Sequence, residues 1–285
     1  MTRSAFAFPL CLVAISGVAC ESDQISRGED PPVMQMEMPN PPPPDAGVAV
    51  TVPPDAGMVI TEPPDAGVPV ASEPVYLNTG ETLYAFDPST GRASSRGNFA
   101  SDRGEVTGMV DIAIDLQGHM YGGTTERELF QIDPTNAHCT LLASYSDILH
   151  GLTFLSDGRL VVAGHAVAIV DPETGRTLDT LVPEGEYETS GDIIGLPDGK
   201  LYWSVRGERD QPDDIVRIDP QTKRTEVLGS TGVVAIYGLG YADQVLYGFL
   251  RDGERVELDQ RSGRAIDERP LSGRWYGATT NPVLW

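Results

Sequence analysis

From about residue 75 to the carboxyl end, apolar residues come in short runs of four to six, often alternating with polar ones, and each run stops at Gly, Pro, Asp or Asn. No stretch of this region keeps the 3.6-residue period of an amphipathic helix, whereas short runs separated by turn residues every 8–12 positions predict an all-β domain. One unit recurs five times, a strand running into a turn: Leu83–Arg92, Leu129–His138, Val167–Arg176, Ile215–Arg224 and Arg255–Arg264. Its fullest form is Asp-Pro-x-Thr-Gly. The Asp side chain can bond nearby backbone N–H groups, Pro presets φ at the second turn position, and Gly accepts φ > 0. The unit therefore predicts a hairpin.

The anchoring aspartates Asp87, Asp133, Asp171, Asp219 and Asp259 are spaced 46, 38, 48 and 40 residues apart. A period near 43 suits one four-stranded propeller blade. A second hairpin lies upstream of four of the units, over Asp111–Tyr121, Gly151–Leu160, Asp192–Tyr202 and Gly238–Tyr247, with Asp-Gly or a similar pair at its turn. The domain opens with Val75–Asn78, which reads as a second strand lacking its first. It ends on Tyr276–Thr280, which reads as a first strand lacking its successors. Joining the two completes one blade and leaves no open ring edge. The expectation is a five-bladed β-propeller over residues 75–285, closed by its terminal strands.

These units resemble the NHL, YVTN and quinoprotein-type propeller repeats. Quinoprotein repeats usually follow Asp-x-x-Thr-Gly with a tryptophan that packs between blades. Here Arg92, Arg176 and Arg264 follow instead, so neither the quinone cofactor nor the larger blade number of those enzymes is implied.

The amino terminus changes the picture of where such a domain would sit. Residues 1–19 have a basic start at Arg3, an apolar stretch from Ala5 to Val18 and small residues before Cys20, the form of a signal peptide too short to span a bilayer stably. Gly17-Val18-Ala19-Cys20 resembles the bacterial lipobox, with Gly17 where Leu is usual. That resemblance implies cleavage before Cys20, lipidation of its thiol and membrane attachment by the lipid anchor. Glu21 rather than Asp after the cysteine implies sorting to the outer membrane by the enterobacterial rule. With the signal removed and Cys20 acylated, Cys139 is left without a cysteine to pair, so no disulfide framework is expected. Residues 20–74 show no strand or helix periodicity and carry Pro-Pro-Asp-Ala-Gly at Pro43, Pro53 and Pro63. They read as a disordered spacer, since Pro pairs favour polyproline II and Asp-Ala-Gly offers hinges. Such tails resemble those on surface lipoproteins of myxobacteria and their relatives.

Charge and motifs narrow the function. The chain has a formal net charge of −22, and from Tyr76 onward it holds 32 acidic and 18 basic side chains. A surface of that sign does not suit nucleic acid, whose phosphates need Lys and Arg to displace counterions. Gly-x-Ser-x-Gly, His-Glu-x-x-His, Cys-x-x-Cys and phosphate-loop patterns are absent. Propeller ligands bind at the central channel or on loops leading into the innermost strands. Aligning the first strands sets Val110-Asp111, His150-Gly151, Gly191-Asp192, Tyr237-Gly238 and Tyr276-Gly277 at equivalent places. Asp111, His150, Asp192, Tyr237 and Tyr276 are the candidate channel residues.

Oxygen and nitrogen groups around an axis could hold Ca²⁺ or a transition metal, as in the senescence-marker and gluconolactonase propellers. Those use carboxylates and an asparagine, and no asparagine aligns at these first-strand positions. The competing expectation is that glycine permits close strand approach while Asp111, Asp192 and His150 bond loop N–H groups or water. His119, His138 and His165 read as solvated, Arg209–Asp214 as a solvated acidic loop, and Cys139 as a buried inert thiol. The resulting expectation is a monomeric, non-catalytic binding or scaffold module of the cell envelope whose partner is a protein or a glycan, with no cofactor assigned. The alternative is a metal-dependent lactonase- or lyase-like hydrolase using Asp111, His150 and Asp192.

Overall fold

A computed structural model describes residues 73–145, 149–208 and 211–284. The signal segment, Cys20 and the three Pro-Pro-Asp-Ala-Gly repeats lie outside the described residues. The chain enters the fold on β1 (Val75–Asn78), β2 (Thr82–Asp87) and β3 (Arg92–Asn98), followed by a two-stranded ribbon, β4 (Ala100–Ser101) with β5 (Gly104–Glu105). Three more meanders follow: β6 to β9 (109–144), β10 to β13 (151–182) and β14 to β17 (189–230). The last meander is β18 (Ile236–Ala242), β19 (Val245–Leu250), β20 (Glu254–Leu258) and β21 (Ala265–Pro270), and β22 (Gly277–Thr280) then returns to β1.

These strands make five four-stranded antiparallel sheets, the first in the order β22-β1-β2-β3 and the others in chain order. The inner strands β22, β6, β10, β14 and β18 neighbour one another in a circle. The fold is a five-bladed β-propeller. Its ring closes as the terminal half-strands predict, with Val75 opposite Thr280 and Asn78 opposite Gly277.

The Asp-centred turns form as their chemistry requires. Oδ1 of Asp87, Asp133, Asp171 and Asp219 accepts the N–H two residues on at 2.8–2.9 Å, and Asp259 does the same at 3.1 Å. Gly91, Gly175 and Gly263 take φ of 67°, 70° and 70° at the turn's end. Where the repeat lacks glycine, Ala137 and Lys223 adopt φ of 63° and 58°, so the turn survives at some conformational cost.

The core is divided among the blade interfaces. Because successive residues of a strand face opposite sides, Trp203 of the third meander's neighbour strand (201–205) packs toward Val161 and Ile169, while the adjacent Tyr202 packs toward Leu239 and Leu246. Each of five hydrophobic clusters joins residues of two successive blades. Trp203 and Trp275 are the largest fully buried side chains. Trp275 seals the closing interface, edge-on to Tyr84 at 5.2 Å, with its indole N–H donating to Leu271 O at 3.1 Å. No described helix is long and apolar enough to cross a membrane.

Candidate functional site at the channel mouth

The aligned first-strand positions separate into two levels. The leading residue of each pair, Val110, His150, Gly191, Tyr237 and Tyr276, lines a cavity of about 1100 Å³ at one end of the axis. The following residue, Asp111, Gly151, Asp192, Gly238 or Gly277, sits one step deeper, where the strands converge. Strand alternation explains the split. The cavity wall is completed by loops entering the inner strands and by those joining the second and third strands of four blades, among them Thr79–Glu81, Thr125, Gly164-His165, Glu184–Ser190 and Arg206. The Asp-centred turns lie at the other ends of the same strands.

Beneath the cavity the axis is plugged. Asp111 and Asp192 are both 0% exposed. Inner strands turn an unpaired edge toward the axis, and these carboxyls satisfy its N–H groups. Asp111 Oδ2 accepts Leu152 N–H at 2.6 Å, from the next blade. Asp192 accepts Ile193 N–H and Leu239 N–H at 2.6 Å and Ala278 N–H at 3.2 Å. Asp192 thereby ties its own blade to the next blade and to the closing strand β22.

The two carboxyls lie within hydrogen-bonding reach of each other. Burial raises both, Asp111 well above the ordinary carboxylate range, where the charge of Asp192 pushes it further. The hydrogen bond from Asp111 and the backbone N–H groups partly offset burial at Asp192. Both carboxyls thus resist ionisation, and Asp192 is pushed up to about 8. With Oδ2 occupied by Leu152, Oδ1 of Asp111 is the oxygen left to carry a proton. It has no other partner and faces Gly277 together with the unpartnered Oδ1 of Asn78.

Asn78 reaches this place from the second strand of the closing blade, opposite Gly277, and its amide donates to Met109 O at 3.2 Å. Comparison of first strands alone misses it. Only the register across the chain termini would bring it out.

In the cavity, Tyr237 and Tyr276 stack with ring centroids 6.4 Å apart and planes 27° from parallel. Each phenol carries a guanidinium on its ring, Arg251 at 5.6 Å from the Tyr237 centroid and Arg274 at 5.8 Å from that of Tyr276. Arg251 is also bonded to the Asp252 carboxylate at 3.0 Å. Across the cavity Arg206 pairs with Glu188 at 3.1 Å. The arginines and the Glu184–Glu188 segment lie on loops of variable length, which the repeat does not mark.

The structure brings His150, Tyr237 and Tyr276 to one cavity and Asp111 and Asp192 to the plug below it, so the five candidates do not form a single ring. Neither carboxyl lines the cavity. Among the described residues no group of three or more His, Cys, Asp and Glu is arranged to hold a metal ion.

His119 bonds Asp115 at 3.0 Å, His138 lies 3.7 Å from Asp102, and His165 lines the cavity. The acidic loop ending at Asp214 is not uniformly solvated. Asp213 is buried, and its Oδ2 accepts the Ser190 hydroxyl at 2.7 Å and Ile236 N–H at 2.7 Å, a clasp across two blades that only the folded ring creates. Cys139 is buried in β9 (Cys139–Ser144), and burial pushes its thiol up to about 11.

No family model matches the chain, and no curated protein matches it. It is similar to solved structures at low identity. One is a protein of unknown function from Bacteroides caccae, with 14% identity, a TM-score of 0.42, and 72% of this chain and 77% of that one covered. Another is U3-55K, with 13% identity, a TM-score of 0.44, and 70% of this chain and 61% of that one covered. Neither likeness bears on function.

Proposed function

We propose that the protein is a lipid-anchored, non-catalytic binding module of the cell envelope, in which a spacer holds the propeller away from the membrane and the channel mouth receives the partner. The observation that carries this reading is the cavity of about 1100 Å³, bounded by residues from all five blades and floored by a closed plug. Concave sites of this size with a few convergent polar groups are the usual places of recognition. The tether is supported by the signal-like segment and Cys20, and outer-membrane sorting by Glu21. Several acyl chains at about 0.8 kcal/mol per buried CH₂ would anchor the chain stably.

Two measurements test the reading. Metabolic labelling with a fatty-acid analogue is expected to mark the wild type and not Cys20→Ser; equal labelling of both would contradict the anchor. The immobilised Cys20→Ser chain is expected to retain a specific component of a solubilised envelope fraction. Retention that is unchanged when Tyr237→Ala and Arg274→Met alter the cavity would contradict the binding face.

A further inference from the structure

We propose that the propeller axis holds one Ca²⁺ ion between Asp111, Asp192 and Asn78, tying the closing blade to the second and fourth blades. The site lies in the plug beneath the cavity and is independent of what the cavity receives.

The plug gathers buried oxygens that lack donors. Asp111 Oδ1 and Asn78 Oδ1 are both without a partner, in two side chains that are 0% exposed. They converge on one place, since a Cβ on Gly277 would lie 2.0 Å from the first and 2.7 Å from the second. The Asn78 amide is not free to turn its NH₂ inward, because that group donates to Thr79 O and Met109 O, each at 3.2 Å. Its carbonyl oxygen is therefore aimed at the carboxyls. Asp192 lies within hydrogen-bonding reach of Asp111, and a carboxylate with roughly four lone-pair sites keeps one open after accepting three N–H groups. Oxygens from three blades thus face a common point.

Charge selects the occupant. The partners of the two carboxyls are main-chain N–H groups and each other, and buried charges are paired or coordinate metals. One divalent cation neutralises both carboxylates, whereas Na⁺ leaves one charge uncompensated. Ca²⁺ entering takes the place of the protons that the carboxyls otherwise keep, and these leave to water. A donor set of carboxylate and amide oxygens without His or Cys suits a hard cation. Mg²⁺ holds on to several of its waters, and a closed plug has little room for them; Ca²⁺ accepts carboxylate, amide and main-chain carbonyl oxygens in flexible geometry. Neither carboxyl lines the cavity, so the ion holds the ring together and is closed off from a partner in the mouth.

The test uses the full chain carrying Cys20→Ser, stripped with a chelator, and adds Ca²⁺ alone, with Mg²⁺ and Na⁺ at matched ionic strength beside it. Calorimetry should find one Ca²⁺ per chain with a Kd on the order of 10⁻⁴–10⁻³ M, the range of extracellular Ca²⁺ modules. At about 10 mM Ca²⁺ the melting temperature should rise by about 5 °C, against less than about 1 °C for the other two ions. Asp111→Asn removes one carboxylate while its amide oxygen still accepts Leu152 N–H, so it should melt cooperatively in chelator yet bind Ca²⁺ at least tenfold more weakly. Asn78→Asp adds a third carboxylate and should bind Ca²⁺ at least tenfold more tightly. The isosteric Asp111→Asn keeps the test decisive should Asn78→Asp fail to fold. Absence of bound Ca²⁺, or an equal response to Mg²⁺, would overturn the proposal. So would Ca²⁺ binding that Asp111→Asn leaves intact, which would place the ion on the acidic surface instead.

Discussion

Asp111 and Asp192, from inner strands of two non-adjacent blades, bring two fully buried carboxyls within hydrogen-bonding reach of each other on the propeller axis, and burial raises both above the ordinary carboxylate range. Between them their carboxyl oxygens accept N–H groups from the inner strands of four blades, Leu152, Ile193, Leu239 and Ala278. The same pair closes the floor of the cavity. Ring closure and the shape of the site therefore rest on this buried pair.

Substitution separates the two roles. In Asp111→Asn the amide can still donate toward Asp192 while its oxygen accepts from Leu152, so stability near neutral pH should change by about 1 kcal/mol or less. Asp192→Asn leaves one acceptor for three N–H groups and turns an NH₂ toward at least one of them. A loss of about 3 kcal/mol or more is expected. Urea denaturation measures both, and equal losses would contradict this division between the one N–H held by Asp111 and the three held by Asp192.

The pH dependence follows from the directions of the shifts. The folded pair titrates above the unfolded carboxylate range near about 4, so between those limits the folded state binds more protons. This contribution is fully present below that range and is lost as pH rises through the folded titration. The turn carboxylates Asp87, Asp133, Asp171, Asp219 and Asp259 act oppositely, because hydrogen bonds lower them. Their contribution disappears as pH falls below the carboxylate range. Thermal melts should show a maximum at mildly acidic pH and a decline toward alkaline pH that Asp111→Asn flattens; an unchanged alkaline limb in that variant would refute the raised titration of the pair.

Gly277 is held to glycine by space rather than by backbone angle. A Cβ there would come within 2.0 Å of Asp111 Oδ1 and 2.7 Å of Asn78 Oδ1. Gly277→Ala should cost about 3 kcal/mol through overpacking of the axis. Gly91→Ala, with φ of 67° and nothing within 4 Å of the added carbon, should cost only about 1 kcal/mol of backbone strain. Equal destabilisation would mean that the axis yields.

Closure can be tested by removing one strand. Deleting Tyr276 to Trp285 removes β22, exposes β1 along its whole inner edge and strips Asp192 of its Ala278 donor. The truncated chain should lose its cooperative melt. A transition near the parent temperature would show that the other four blades suffice.

The blades were legible in the sequence because their signal is local. Asp-Pro-x-Thr-Gly encodes its own turn, and five copies at a blade-sized period give the count without any tertiary knowledge. The half-strands Val75–Asn78 and Tyr276–Thr280 declared their pairing for the same reason. The site was legible only in part. Aligning first strands found His150, Tyr237 and Tyr276, but strand alternation put Asp111 and Asp192 on a lower level that alignment could not distinguish. Asn78 escaped notice because it arrives from a second strand across the ring closure. Arg274 and the Glu184–Glu188 segment lie on loops outside the repeat. Asp213 read as solvent-facing among its acidic neighbours, yet the ring folds it onto Ser190 and Ile236.

The central claim is that the partner enters at the channel mouth, and photocrosslinking in intact cells addresses it most directly. A benzophenone side chain would be placed at Thr125 or Glu184 on the cavity rim, and at Gln117 or Glu173 on the turns at the opposite face. The rim positions should capture a discrete envelope component and the turn positions none. Capture from Gln117 and Glu173 with none from Thr125 and Glu184 would contradict the claim.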